Sequence, residues 1–253
     1  MGQASSPYTL GVPDADTLVF IPAWNEEENL AAVLDELRVG LPNADVLVVD
    51  DGSTDGTAAV AQAHGAEVLS FGENRGLQEG IAAGYAYADE KEYELVGRVD
   101  ADGQHPVEEL VRLLEIVREG QADVAVGSRF ATGDGYEAYR YEPSRSRRLG
   151  TSVLRRAMRA ALGRPFHDAT SGMYAANRQA MPSLGKPYSS GAPEVESLLR
   201  LREAGLHVVE VPVHMRDRAS GESKLRGRKA VRLVLTVVST LLVYGLWRRH
   251  RRR

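Results

Sequence analysis

Leu18-Val19-Phe20-Ile21 stops at Pro22, and Asp45-Val46-Leu47-Val48-Val49-Asp50 stops at Asp51. Both runs are apolar along their length, as strands covered on both faces are. Between them, Asn25 to Leu41 places Leu30, Val33, Leu34 and Leu37 at helical spacing. This strand–helix–strand unit then repeats. Strands are expected at Glu67–Ser70, Leu95–Asp100 and Asp123–Val126, and helices at Thr57–His64, Gly76–Ala88 and Val107–Arg118. The helix from Gly76 is rich in Gly and Ala, which predicts close packing. Strands that alternate with helices and are apolar throughout predict an α/β domain. Its sheet is mostly parallel, with helices on both faces.

Ligands in such sheets bind beyond the carboxyl ends of the strands. The polar segments Pro22–Glu28, Asp50–Asp55 and Asp100–His105 all fall at those ends. Asp100-Ala101-Asp102 sets two carboxylates one residue apart, and Gln104 continues the spacing with an amide oxygen. Such a turn suits a hard divalent cation, Mg²⁺ or Mn²⁺, whose other positions go to water and phosphate. An acidic turn capping the next helix is the plainer explanation of the same residues. Asp50 and Asp51 end a strand where carboxylates can accept from ribose hydroxyls or a base N–H; Ser53 or Asp55 would serve as a helix N-cap. No Gly-x-Gly-x-x-Gly follows the first strand and no Gly-x-x-x-x-Gly-Lys-Ser/Thr occurs. A nicotinamide enzyme and a P-loop enzyme are therefore not expected.

Composition sets the outer limits. The chain has 253 residues, no cysteine, 43% hydrophobic and 26% charged residues. That is a globular chain with length enough for a core. It excludes a disulfide scaffold, a cysteine–zinc site and a cysteine nucleophile. The net charge of −4 hides an asymmetry. Residues 140–164 carry +7, residues 216–253 carry +10, and the rest of the chain carries −21. Two basic segments on an acidic body point to an anionic partner. No RNA-binding motif accompanies them, so nucleic acid is not expected.

Beyond Val126 the pattern changes. Residues 131–147 read as a loop and Leu149–Leu162 as an arginine-rich amphipathic helix. Tyr174–Met181 and Pro193–Ala204 read as helical, and His207–Val213 as a strand closed by Pro212. Leu233–Trp247 is uncharged over 15 residues and is bracketed by Lys and Arg. A spanning helix wants roughly 20 apolar residues. The segment is therefore read as membrane-associating, its cations each worth about 1 kcal/mol at an anionic surface. A buried helix, a homo-oligomer contact or a membrane-protein partner are the alternatives. Residues 1–17 read as a loose polar arm without the apolar region of a secretory signal. The expected organisation is an arm at 1–17, a catalytic domain at 18–229 and a membrane-associating segment at 230–253.

Six pieces in order carry a resemblance. They are Phe20–Asn29, the Asp50-Asp51-Gly52-Ser53 run with Asp55, and Asp100-Ala101-Asp102. Val126-Gly127-Ser128-Arg129, Asp168-Ala169-Thr170-Ser171-Gly172, and Arg218 with Gly221-Glu222-Ser223-Lys224-Leu225 complete them. Together, over about residues 17–229, they resemble inverting family-two glycosyltransferases of GT-A fold. Within these, they resemble the polyprenyl-phosphate (dolichyl-phosphate) mannosyl- and glucosyltransferases. The resemblance implies a Rossmann-like GT-A domain and transfer of a hexose from a nucleotide sugar to a polyprenyl phosphate. Mannose is favoured, glucose is the alternative, and the site would be the cytoplasmic face of a membrane.

The resemblance also implies roles. Pro22, Ala23, Asn25 and Glu26 would belong to the nucleotide cradle, with Asp51 on the ribose or base and Asp100 and Ala101 beside the nucleotide. Asp100, Asp102 and Gln104 would hold Mg²⁺ or Mn²⁺ on the diphosphate. Arg129, Arg218, Ser223 and Lys224 would bind phosphate, and Asp168 would take a site role from its place in the motif. Many relatives carry a Gly-Lys-Gly-like stretch after the Asn-x-Gly turn; here Asn74-Arg75-Gly76 is followed by Leu77-Gln78-Glu79-Gly80. A phosphate acceptor is mostly dianionic near neutral pH and needs positioning more than deprotonation. A hydroxyl acceptor on a glycan would need a carboxylate base, for which Glu194 and Glu196 are the candidates. A non-catalytic nucleotide-sugar-binding scaffold is the remaining reading.

Overall fold

The computed structural model describes residues 16–133, 158–159, 163, 166–168 and 170–216. The arm before Asp16, most of the arginine-rich segment 149–162, the basic loop with Arg218, Ser223 and Lys224, and the apolar tail lie outside the described residues. So does Ala169.

Among the described residues, seven strands form one sheet. They are β1 (Thr17–Ala23), β2 (Asp45–Asp50), β3 (Glu67–Ser70), β4 (Leu95–Arg98), β5 (Val124–Ser128), β6 (Tyr174–Asn177) and β7 (Val208–Pro212). Their spatial order is β3-β2-β1-β4-β6-β5-β7. β1 pairs in parallel with β2 and β4, β2 with β3, and β5 with β7; β6 runs antiparallel between β4 and β5. The sheet is mostly parallel, as expected, with one reversed strand near its middle.

The helices are α1 (Glu27–Gly40), α2 (Thr57–Ala63), α3 (Leu77–Glu90), α4 (Val107–Arg118), α5 (Met181–Leu184) and α6 (Pro193–Glu203). They cover both faces. On one face Val19 and Ile21 pack with Leu30, Val33, Leu34 and Leu37 of α1 and Leu110 and Leu114 of α4. On the other, Leu18 and Phe20 pack with Ile81 and Tyr85 of α3, Met181 and Leu184 of α5, and Leu198 of α6. The strand period of two sends alternate β1 residues to opposite cores. The Gly and Ala of α3 allow the predicted close approach. A Cβ at Gly84 would overlap the Phe20 ring, which stacks edge-on with Tyr85 at 4.9 Å.

Two expectations are corrected. Tyr174–Met181 is not one helix: Tyr174–Asn177 is β6, and only Met181–Leu184 is helical. The Ala175-Ala176 pair reads as helical by propensity, but Tyr174, Ala175 and Ala176 each pair with both β4 and β5, and that pairing overrides it. Nor are the strands apolar throughout. β4 ends in Arg98, whose residue is only 2% exposed. Among the described residues, no helix is long and apolar enough to cross a membrane.

Candidate active site

The loops after β1 and β2 interlock at the carboxyl edge. Asn25 takes a left-handed φ of 53°, which asparagine tolerates better than most residues. Its N–H donates to Ser53 Oγ at 3.0 Å and its Oδ1 accepts from Thr54 N–H at 2.8 Å. Glu26 N–H donates to Thr57 Oγ1 at 2.9 Å, and Glu27 accepts from Gly56 N–H at 2.6 Å. Asp55 accepts from the N–H and hydroxyl of Thr57, the first residue of α2. Pro22 and Ala23 are buried in the last positions of β1.

Asp50 and Asp51 are both buried. Asp50 accepts from Ser53 N–H at 3.0 Å and Ser70 Oγ–H at 2.8 Å. Asp51 accepts from the N–H groups of Arg75 at 2.6 Å and Gly76 at 2.9 Å. The loop that departs from the lysine-bearing pattern is thus anchored to the acidic strand end.

The turn after β4 carries Asp100, Asp102 and Gln104. Asp102 Oδ1 accepts from Gln104 N–H at 3.1 Å. Asp100 N–H donates to His105 Nδ1 at 3.0 Å, which leaves the imidazole proton on Nε2, 3.8 Å from Asp100 Oδ2. Burial holds the His105 imidazole below its ordinary pKa. The carboxylates of Asp100 and Asp102 pull the other way, and Arg98 and Arg129 add to the lowering. Ala101 is buried, while Asp100 exposes 38% of its side chain. Gly172 closes over Asp100, where a Cβ would stand 2.5 Å from Oδ2.

Gln104 also joins this turn to the strand-exit segment. Its side-chain amide donates to Arg216 C=O at 3.2 Å, and Arg216 N–H donates to Gln104 C=O at 2.9 Å. The Arg216 guanidinium forks onto Glu36 at 2.7 and 2.8 Å, and Glu36 accepts from Val107 N–H at the start of α4. The chain therefore enters the basic loop from a point fixed beside Asp102.

Arg129, at the end of β5, is held by Asp168. Its Nε and Nη2 donate to the two carboxylate oxygens at 2.7 and 2.8 Å, and its N–H adds a bond at 3.2 Å. The Asp168 side chain is 1% exposed, against 32% for Arg129. Glu210 of β7 supports the pair from behind by accepting from the N–H groups of His167 and Asp168.

The two candidate bases separate. Glu196 accepts from the N–H groups of Ser189 and Ser190, and from Arg200 at 2.6 Å. Burial alone would raise its pKa, but these hydrogen bonds outweigh burial and hold it below the ordinary value. Glu194 instead accepts from Arg98 Nη2 at 3.1 Å. Arg98, His105, Glu210, Glu36 and Arg216 were not among the expected site residues. A lone arginine inside an apolar strand was the readable signal for the first; the others act through tertiary contacts.

The donor chemistry fits a hard cation. Asp100, Asp102 and Gln104 offer oxygen donors, and no group of three or more His, Cys, Asp or Glu is placed to hold a metal among the described residues. A cation here would complete its shell with water and substrate oxygens, as Mg²⁺ does when it keeps one or two carboxylates and binds phosphates.

Residues 18–184 match the family model described as glycosyl transferase family 2. The chain belongs to glycosyl transferase family 2. Among its relatives is a polyprenol monophosphomannose synthase of Mycolicibacterium smegmatis. It is 34% identical over 236 residues, covering 89% of this chain and 86% of the relative. An undecaprenyl-phosphate mannosyltransferase of Micrococcus luteus is 36% identical over 218 residues, covering 83% and 87%. A solved structure of similar fold is glucosyl-3-phosphoglycerate synthase from Mycobacterium tuberculosis, in complex with Mn²⁺, UDP and glucosyl-3-phosphoglycerate. It is 24% identical, covers 90% of this chain and 79% of that one, and superposes with a TM-score of 0.66. The sheet and its helices are therefore those of a known glycosyltransferase architecture.

Proposed function

We propose that this family-two enzyme transfers a hexose, mannose in the first instance, from a nucleotide sugar to a polyprenyl phosphate with inversion at the anomeric carbon. The observation that carries the reading is similarity over more than four-fifths of both chains to two enzymes named for mannose transfer to such lipids. Asp100 and Asp102, with Gln104, would hold Mg²⁺ or Mn²⁺. When bound, that ion neutralises charge on a diphosphate leaving group. The solved relative named above contains Mn²⁺ and UDP.

The remaining roles are those that the family resemblance implies. Pro22, Ala23, Asn25 and Glu26 frame a nucleotide cradle, Asn25 and Glu26 through the hydrogen bonds that lock the first two loops. Asp51 keeps the Arg75–Gly76 backbone in place along that cradle. Arg129, oriented by Asp168, together with Arg218, Ser223 and Lys224, would bind phosphate of the donor or acceptor. A dianionic phosphate attacks without a base, so the chemistry asks for orientation and charge neutralisation. The engagement of Glu196 with Ser189, Ser190 and Arg200, and of Glu194 with Arg98, argues against a hydroxyl acceptor that needs either as base. The basic tail is proposed to hold the enzyme peripherally on the cytoplasmic face.

Asp102→Asn tests the core of this reading. Radiolabelled GDP-mannose is offered with a short polyprenyl phosphate and Mn²⁺, and label is counted in the organic phase. Transfer by wild type and a loss of about 10²-fold or more in the variant are expected. Equal transfer by both proteins would overturn the metal-site assignment.

A further inference from the structure

Arg98 is the odd group in the core. It sits at the end of β4, directly opposite Tyr174 of β6 in the antiparallel register, and its side chain is 2% exposed. Its guanidinium lies 3.1 Å from Glu194 Oε1, 3.9 Å from Asp100 Oδ1 and 5.7 Å from the Tyr174 ring centroid. Its neighbours Phe20, Tyr85 and Val96 are core residues. Arg98 Nε and the hydroxyls of Tyr85 and Tyr174 are buried with no hydrogen-bond partner among the described residues.

An arrangement like this is a poor way to stabilise a core. Buried polar groups are normally satisfied, and a buried ion pair is often no more stabilising than apolar side chains of the same size. What the pair does have is position. It links the first turn of α6, where Glu194 lies, to the strand end that carries Asp100. Arg98 is buried, and its charge attracts the partly exposed Asp100 carboxylate across 3.9 Å, with water screening part of that attraction. Left unbalanced, the same cation would repel a divalent ion at Asp100; Glu194 supplies the compensating charge.

We propose that Arg98, neutralised by Glu194, is a positioning residue that fixes the Asp100 carboxylate for the divalent cation. The inference rests on the metal-site reading given above. With 2% of its side chain exposed, Arg98 is placed to act through Asp100 rather than on substrate or metal directly. It acts by drawing Oδ1 inward, so that the carboxylate is oriented before the ion arrives.

The test is binding of Mn²⁺ alone to the full chain, followed by the electron paramagnetic resonance signal of the free ion, with thermal unfolding measured in parallel. In Arg98→Met/Glu194→Gln both charges go, and the melting temperature is expected to stay close to wild type. The Mn²⁺ dissociation constant is expected to rise about tenfold, with kcat falling in parallel. Arg98→Lys, which keeps the charge, is expected to recover most of the affinity. A stable double variant that binds Mn²⁺ as wild type does would overturn the proposal. If the double variant fails to fold, Glu194→Gln decides alone: it leaves Arg98 unbalanced, and weaker Mn²⁺ binding is expected, whereas unchanged binding overturns the proposal. Absence of Mn²⁺ binding by wild type would remove the metal reading itself and this inference with it. Binding by wild type with unchanged variants removes only the inference.

Discussion

Asp168→Asn isolates what the buried carboxylate does for Arg129. The substitution keeps the shape but removes the charge and one of the acceptors now facing Arg129 Nε and Nη2 at 2.7 and 2.8 Å. Breaking a buried ion pair from one side costs about 3–5 kcal/mol. Arg129 keeps 32% exposure, so water recovers part of its solvation and about 2 kcal/mol is the better figure. That is well short of a total stability of about 5–15 kcal/mol, so the protein stays folded. For a chain of this size it lowers Tm by about 4–8 °C. The guanidinium also loses its fixed plane, and misplacing a positioning group by about 1 Å costs about 10²-fold in rate. Thermal unfolding and the transfer assay on one preparation measure both effects. A variant with wild-type Tm and wild-type transfer would refute the view that Asp168 presents Arg129.

Three other perturbations probe separate parts of the structure. Gly172→Ala puts a Cβ 2.5 Å from Asp100 Oδ2, so transfer is expected to fall about 10²-fold, and titration of the purified variant with Mn²⁺ should show weaker binding. Gly84→Ala drives a methyl group into the Phe20 ring and is expected to cost about 1–3 kcal/mol in a urea titration, without a specific effect on metal binding. Glu36 is pushed up by burial but pulled further down by Arg216 and Val107 N–H, so its folded pKa lies below the ordinary 4.5. Its stabilisation is therefore complete above 4.5 and lost as pH falls through the folded value. Thermal melts of wild type and Glu36→Gln should converge as the pH is lowered through that range; a constant gap would count against the Glu36–Arg216 clamp.

Most of the α/β alternation was readable because its cues are local. Val107–Arg118 was predicted with the bounds that α4 has, and its stripe at Leu110, Leu113, Leu114 and Val117 is the buried one. Apolar runs ending in Asp or Pro marked the strand ends and hence the edge that carries Asp100, Asp102 and Gln104. β6 was not readable, because Tyr-Ala-Ala-Asn carries no period and becomes a strand only between two partners distant in sequence. The same limit applies within the site. Asp100–Asp102 spacing is local, but Asp168 on Arg129 spans 39 positions, Arg98 on Glu194 spans 96, and Arg216 on Glu36 spans 180. Whether a carboxylate is a ligand, a clamp or a base depends on such contacts. Glu194 and Glu196 look alike at a helix start, yet one neutralises a buried arginine and the other closes a turn.

The most direct measurement is mass spectrometry of the lipid recovered after wild-type enzyme meets GDP-mannose, Mg²⁺ and a polyprenyl phosphate. A polyprenyl phosphate heavier by one hexose is expected. No product is expected when the phosphate is replaced by the free polyprenol. Hexose appearing on a glycan or soluble hydroxyl acceptor while the lipid phosphate stays unmodified would contradict the proposed function.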